Sequence, residues 1–149
     1  MKLYEFEGKE LFKKYGIPVP ESVLLSTEAE AIPLKSPYVL KAQVRTGDRK
    51  KYGGIVPVTG NASPRKSLQE LFLRPLQGEN VKAVLVEQFV KADKEYYVSL
   101  SYDAGIRAPV LALSPSGGSG IAKAVLMPID MAVGLPPFAI RTAAAKAKF

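Results

Sequence analysis

Apolar and polar residues alternate along the chain with two periods, one typical of helices and one typical of strands. In residues 3–15 the apolar side chains have helical spacing and fall on roughly one face, at Tyr4, Leu11, Phe12 and Tyr15. Gly16 follows as a helix-ending residue, and the prolines behind it prevent the helix from continuing. Two further helices are predicted, over residues 64–75 behind the potential cap Ser63 and over the alanine-rich residues 136–147.

Between these helices, short apolar runs predict strands. The runs are residues 20–26, 38–44, 55–58, 81–89, 95–103, 107–113 and 122–127. Pro57 lacks a backbone N–H, which favours an edge position for its strand. Turns are predicted at residues 103–105, which would make the next run return antiparallel, and at residues 115–120. The order α-β-β-β-α-β-β-β-β-α mixes hairpins with helices, and it predicts the fold class α+β rather than a doubly wound parallel sheet.

Composition narrows the classes of function. The 149 residues are 47% hydrophobic and 23% charged, a normal globular balance for one domain. Because the chain has no cysteine and no histidine, it excludes disulfides, thiolate metal sites, histidine bases and a phosphohistidine within itself. The acid-containing start and the lack of an apolar stretch of roughly 20 residues predict a soluble, cytoplasmic protein without a membrane span. The net charge of +7 favours anionic partners such as nucleotides or nucleic acids.

The run from Lys41 to Gly54 carries the first candidate chemistry. A lysine lies inside an otherwise apolar strand, and four more cations follow within ten residues in a loop flanked by glycines. A buried lysine is costly unless an anion pairs with it, and glycines let backbone amides approach phosphate oxygens closely. The pattern fits a polyphosphate site, although it is not a Walker A motif. From composition alone, an edge-strand lysine followed by a solvated basic hairpin is the alternative.

Two carboxylates form the second candidate. Glu87 lies at the end of an apolar strand, and Glu95 follows eight residues later on the same face as Ser99. They could bracket a small polar ligand, with Glu95 accepting hydrogen bonds from hydroxyl groups; a hairpin with exposed acids is the alternative. The run from Ser114 to Gly120 contains G-x-G but opens no helix, so it indicates a turn rather than a dinucleotide site.

Several segments match a known pattern in order and spacing. They are an opening helix and turn, L-x-E-F-x-G-K-x-L-F-x-x-Y-G-I-P-x-P, then a K-x-Q-V strand and a loop of the G-G-R-G-K-x-G-G type. In this chain they are residues 3–20, 41–44 and 47–54, with later matches at 85–87, 94–97, 117–118, 128 and 134–141. Together they resemble the β subunit of succinyl-CoA synthetase and its relatives, including the ATP-grasp part of ATP citrate lyase.

The resemblance implies a fold and its subdomains. The fold would be an incomplete, N-terminal portion of an ATP-grasp domain, with mixed or antiparallel sheets and flanking helices. Residues 20–80 would form a nucleotide-covering subdomain. Residues 1–19 and 81–149 would belong to the central subdomain.

It also implies roles for individual residues. Lys41 would contact the nucleotide phosphates. The phosphate-covering loop would be lined by Asp48, Arg49 and Lys50. Glu87 and the backbone through Val90 would hold the adenine edge, and Glu95 would bind the ribose hydroxyls.

The implied cofactors are ATP and Mg²⁺, with the metal-binding Asn and Asp of the family lying beyond this chain. The implied partner is an α subunit that carries the phosphohistidine and the CoA site. Completed by these parts, the chain would act as an ADP-forming acid–thiol ligase.

Some positions depart from the family pattern. Asp48 and Lys50 stand where the family loop has glycines, and Ser119 and Gly120 stand where it has acids. Three alternatives therefore stay open: a subunit of the ATP citrate lyase or citryl-CoA synthetase type, a non-catalytic ATP-grasp-like binding module, and a basic nucleic-acid-binding domain. The tyrosines do not interleave with the basic loop, which argues against nucleic acid as the partner.

Overall fold

Helices and strands follow one another in the order that the sequence predicts. The computed structural model describes residues 3–60, 63–117 and 124–149. In these ranges the elements are α1 (Glu5–Lys14), β1 (Ser22–Leu25), β2 (Tyr38–Ala42), β3 (Ile55–Val58), α2 (Pro64–Leu73), β4 (Val84–Gln88), β5 (Tyr97–Asp103), β6 (Ala108–Ser114), β7 (Val125–Pro128) and α3 (Pro137–Lys146). The predicted α+β class is confirmed. Part of the predicted turn at 115–120 and the start of the predicted strand at 122–127 lie outside the described residues.

The elements divide between two units, residues 1–91 and residues 92–149. The subdomain boundaries near residues 20 and 80 that the resemblance implies stay a prediction. No helix within the described ranges is long and apolar enough to cross a membrane.

The first helix is fixed by its two ends. The N–H of Tyr4 donates to the Glu7 carboxylate at 2.7 Å. Gly16 adopts a positive φ of 73° behind the last turn, and the N–H of Ile17 then reaches the Phe12 carbonyl at 2.9 Å. The apolar side chains expected on one face are exposed: Leu11, Phe12 and Tyr15. The helix prediction is confirmed, but α1 turns charged residues rather than this apolar face toward the sheet.

A four-stranded antiparallel sheet forms the centre of the first unit, in the order β1-β4-β2-β3. Its edge strand β3 carries Pro57, as predicted. Lys41 of the central strand β2 lies opposite Ile55 of β3 and Leu85 of β4. Because successive side chains of a strand point to opposite faces, Leu40 enters the core while Lys41 lies on the other face. The core contains Leu25, Leu40, Leu68, Leu71, Val84 and Val86 among its buried residues.

The second unit contains the three-stranded antiparallel sheet β5-β6-β7 and the helix α3. Ala143 of α3 and Ala147 directly after the helix form a small buried cluster with Leu111 and Leu113 of β6, and this cluster is the core of the unit. The predicted antiparallel return after the turn at 103–105 is confirmed.

α2 begins directly after Ser63, as the sequence predicts. Within the described residues the Ser63 hydroxyl makes no capping hydrogen bond. The helix is therefore held by its buried side chains Leu68 and Leu71 rather than by its cap.

Candidate functional site

Five charged side chains meet on the face of the first sheet that is turned away from its main core. They are Glu5 and Lys9 of α1, Lys41 of β2, Arg49 of the following loop and Glu87 of β4. We call this set the charged cluster. It holds three cations and two carboxylates, so its formal charge is +1.

Lys41 lies at the centre of the charged cluster. Its Nζ donates to Glu5 Oε1 at 2.9 Å and to Glu87 Oε1 at 2.7 Å, and its side chain is 18% exposed. Burial alone would lower the pKa of Lys41, but the hydrogen bonds and charges of Glu87 and Glu5 outweigh it and raise that pKa above its ordinary value. Lys41 is therefore a fixed, permanently protonated cation at neutral pH.

Glu87 is buried at the end of β4, and both of its carboxylate oxygens face cations. Oε1 accepts from Lys41, and Oε2 forms an ion pair with Lys9. The antiparallel register explains the first contact, because Glu87 lies opposite Val39 and its side chain shares a face with Lys41. Glu87 is thus not the exposed hairpin acid of the alternative hypothesis.

Glu5 supplies the second carboxylate from the first turn of α1. Its Oε2 accepts from Arg49 at 2.5 Å and its Oε1 accepts from Lys41, while Lys9 lies 3.5 Å away one helical turn further on. Burial would raise the pKa of Glu5, but Lys41 and Arg49 hold it down, from its ordinary 4.5 to about 2. The helix N-terminus also favours an anion at this position.

Three hydrogen bonds fix the path of the loop between β2 and β3. The N–H of Gly54 donates to the Arg49 carbonyl at 2.7 Å, and Arg49 itself donates to the Ala42 carbonyl at 2.9 Å. Near the start of the loop, the N–H of Arg45 donates to the Glu79 carboxylate at 2.9 Å. Arg49 is thereby bound inward, whereas its neighbours in the loop stay exposed.

Asp48 occupies the left-handed region, with φ at 52°. Glycine adopts this backbone freely, and aspartate is among the few side chains that tolerate it. The departure from the family pattern at this position is therefore compatible with the same loop path.

A cavity of about 470 Å³ lies beside the charged cluster. Glu5 and Lys9 form its charged side, and its other walls are mostly apolar: Gly8, Phe12, Ile17, Pro18, Val19 and Pro20. A volume of this size is typical of small-molecule pockets, which combine apolar walls with a few polar groups.

The sequence-predicted residues are distributed over both units. Lys41, Arg49 and Glu87 are brought together in the charged cluster. Asp48, Lys50 and Val90 are exposed elsewhere in the first unit, and Glu95 is exposed in the second. Their proposed contacts with a nucleotide stay predictions.

Glu95 has a close neighbour in its own unit. The N–H of Gly117 donates to the Glu95 carbonyl at 3.0 Å. A Cβ added at Gly117 would lie 2.7 Å from the Glu95 Cβ, so only glycine fits there without a shift. This part of the predicted double glycine therefore packs against Glu95, while Gly118 lies outside the described residues.

Sequence reasoning missed Glu5 and Lys9 as members of the site. Two signals pointed to them: the i, i+4 spacing of opposite charges on α1, and the need of a buried Lys41 for carboxylate partners. The first signal is common on exposed helices, and the second does not say where the partner lies in the sequence.

Within the described ranges, no group of three or more histidine, cysteine, aspartate or glutamate side chains is placed to hold a metal ion. The expectation that magnesium ligands lie beyond this chain stays a prediction.

Comparisons with known proteins identify the family from the sequence. A family model described as an ATP-grasp domain matches residues 2–149. The β subunit of ADP-forming succinate–CoA ligase from Methanocaldococcus jannaschii is 45% identical over 123 residues, which are 81% of this chain and 34% of that protein. The first curated relatives are matched over 34% to 42% of their length, so the chain spans well under two thirds of them.

Solved structures match the fold at low identity. The protein ACD1 of Ca. Korarchaeum cryptofilum, solved in complex with coenzyme A, has a TM-score of 0.76 at 22% identity, over 99% of this chain and 66% of its own. ATP citrate lyase from Methanothrix soehngenii, solved with citrate and coenzyme A, has a TM-score of 0.68 at 19% identity, over 90% of this chain and 36% of its own. These likenesses establish the partial ATP-grasp fold.

Proposed function

Because this chain belongs to the ATP-grasp family, we propose that it is the phosphate-binding part of the nucleotide site of an ATP-dependent acid–CoA ligase. The observation that carries the proposal is the charged cluster, in which the half-buried Lys41 of a strand and Arg49 of the glycine-bounded loop both pair with Glu5. The sequence similarity to succinate–CoA ligase β subunits supports the ligase class.

The charged cluster suits the phosphates of a nucleotide. Phosphoryl transfer depends mainly on positioning and on neutralising the charge of the transferred group. Lys41 supplies a fixed cation, and Arg49 and Lys50 supply cations from the loop above it. Mg²⁺ would add charge neutralisation when bound, through ligands outside this chain.

The apolar cavity beside the charged cluster suits the base. Phe12 and Ile17 offer an apolar surface to a planar ring. Glu87 and the backbone through Val90 would hold the adenine edge. Glu95 would bind the ribose hydroxyls. The phosphate and base subsites would thus share Glu5 and Lys9 as their boundary.

The rest of the reaction would need other parts. The chain has no histidine, so the phosphohistidine and the CoA site would come from an α subunit. Succinate is the acid in the names of the curated relatives, and we propose a small carboxylic acid as the substrate class.

Titration calorimetry tests the proposal by comparing the Mg-ATP affinity of variants in which one cationic side chain is removed. We expect Lys41→Met to weaken ATP binding by about 10- to 100-fold, because a charge-assisted contact to phosphate contributes roughly 1.5–3 kcal/mol. Lys50→Ala should weaken it by a smaller factor, because an exposed charge is screened by water. Lys35→Ala is the matched control, since Lys35 is equally exposed but lies outside the loop.

Thermal unfolding without ligand separates lost binding from lost folding in the Lys41 variant, and Lys50→Ala leaves the buried charges intact. No ATP binding by the wild-type chain, or equal affinity in all variants, would contradict the proposal. Binding to duplex DNA that falls steeply with salt and resists competition by ATP would support the nucleic-acid alternative instead.

A further inference from the structure

Glu5 joins two cations that come from different parts of the first unit. One oxygen accepts from Lys41 of β2 and the other from Arg49 of the loop, 44 residues away in sequence. The two oxygens of the Glu5 carboxylate thus accept from different cations, Lys41 on a strand and Arg49 in a loop.

The two cations differ in how firmly the backbone holds them. Lys41 lies in a central strand and is paired with β3 on one side and β4 on the other. Arg49 lies in a loop, where its guanidinium makes one further hydrogen bond, to the Ala42 carbonyl. An arginine that is already ordered loses less side-chain freedom when a ligand binds, so its affinity for that ligand is higher. Among the residues that the structure describes, Glu5 provides the second of the two hydrogen bonds that order the Arg49 guanidinium.

Both cations keep unused donors. Among the described residues, the Lys41 ammonium uses two of its three N–H groups, for Glu5 and Glu87. The Arg49 guanidinium uses two of its five, for Glu5 and Ala42. These unused donors would let a phosphate that reaches both cations accept from them without displacing Glu5. The carboxylate between the two cations also reduces their mutual repulsion.

We propose that Glu5 is a positioning residue, which holds Arg49 beside Lys41 so that both cations donate to the same nucleotide phosphate. This deepens the proposed function and rests on it. The depressed pKa of Glu5 agrees with this role, because the carboxylate stays ionised at neutral pH. Neither cation would need to exchange an internal partner for the ligand.

The test compares Glu5→Gln with Glu10→Gln on the same helix. A glutamine has one acceptor oxygen, and its NH₂ group would face a cation, so it cannot bridge Lys41 and Arg49. Glu10 is exposed, and no ion pair of it occurs in the described part of the chain, so its variant changes the charge of α1 equally. Glu5→Asp keeps both acceptor oxygens and serves as the conservative variant.

Affinities for Mg-ATP and for adenosine are measured by calorimetry. We expect Glu5→Gln to bind ATP about tenfold more weakly with adenosine affinity unchanged, since it loses about one charge-assisted contact. Glu10→Gln should match the wild type, and Glu5→Asp should recover part of the loss. Equal loss for ATP and adenosine would indicate a merely structural role. Unchanged or tighter ATP binding, as expected if Glu5 competes with phosphate, would also overturn the inference.

Trypsin provides a second measurement that needs no nucleotide. The loop offers cleavage sites at Arg45, Arg49, Lys50 and Lys51. Released from Glu5, the loop should be cut several-fold faster in Glu5→Gln than in Glu10→Gln, because cleavage tracks local opening. Equal cleavage rates would overturn the positioning role. Absence of ATP binding by the wild-type chain would instead refute the proposed function.

Discussion

The ionisation of Glu5 ties the stability of the first unit to acid pH. Its pKa is lowered from 4.5 to about 2 in the folded chain, because Lys41 and Arg49 outweigh the effect of burial. A depressed pKa gives stability that is fully present above pH 4.5 and is lost as pH falls through 2. Ionised Glu5 should therefore contribute on the order of 3 kcal/mol to the free energy of unfolding at neutral pH. This contribution should be lost between about pH 4.5 and 2.

Urea unfolding at a series of pH values checks this contribution. Glu5→Gln should be less stable than the wild type at pH 7, and the difference should shrink toward pH 2. Glu10→Gln should retain the acid dependence of the wild type. If the free energy of unfolding depends on pH in the same way in Glu5→Gln and in the wild type, the charged cluster does not depress the pKa of Glu5.

At the scale of single residues, the sequence could identify three of the five members of the charged cluster, namely Lys41, Arg49 and Glu87. Lys41 could be found because a lysine in an apolar strand violates the strand's own pattern, and Glu87 could be found for the same reason. Glu5 could not be assigned to the site from the sequence, because its partners Lys41 and Arg49 are 36 and 44 residues away. Whether Glu5 reaches them depends on where α1 lies on the sheet. An acid in the first turn of a helix is ordinary without that placement.

Among the elements, the loop between β2 and β3 depends on one close packing contact. A Cβ added at Gly54 would lie 2.7 Å from Leu76 Cδ1 and 3.2 Å from the Arg49 carbonyl oxygen. Leu76 is buried and cannot move aside freely. Gly54 is therefore required for space, at the point where the loop returns to β3.

We expect Gly54→Ala to lower the free energy of unfolding by about 1–3 kcal/mol, the usual cost of overpacking. Gly47→Ala in the same loop is the matched control, because a Cβ there meets no atom of the described residues within 4 Å. Urea unfolding measures both variants. Equal stability of the two would mean that the loop does not close against Leu76 as described.

The strands could be predicted more completely than the packing of the helices. The apolar run of β2, the alternation of residues along β5 and the turn between β5 and β6 are local signals that predict the strands and their hairpin. The side of α1 that contacts the sheet is decided by ion pairs with distant residues, which outweighed its apolar spacing. The exposed Phe12 then becomes a wall of the cavity.

At the scale of the whole molecule, the chain corresponds to a minor part of its curated relatives. It spans 33% to 43% of their length, and the phosphate contacts proposed for it lie within residues 1–91. The order and spacing of motifs over the full length indicated the family, which no single motif did. The acid substrate, the metal ligands and the partner could not be predicted in the same way, because no residue pattern of this sequence identifies them.

Amide chemical shifts of the ¹⁵N-labelled chain, recorded with Mg-ATP and separately with adenosine, test the central claim most directly. We predict that ATP shifts residues 41–54 together with residues 12–20 and 87–90, and that adenosine shifts the last two segments alone. ATP shifts that are absent, or confined to the separate cavity lined by residues 28–32, 38, 64–65 and 68, would contradict the assignment of the charged cluster to the nucleotide phosphates.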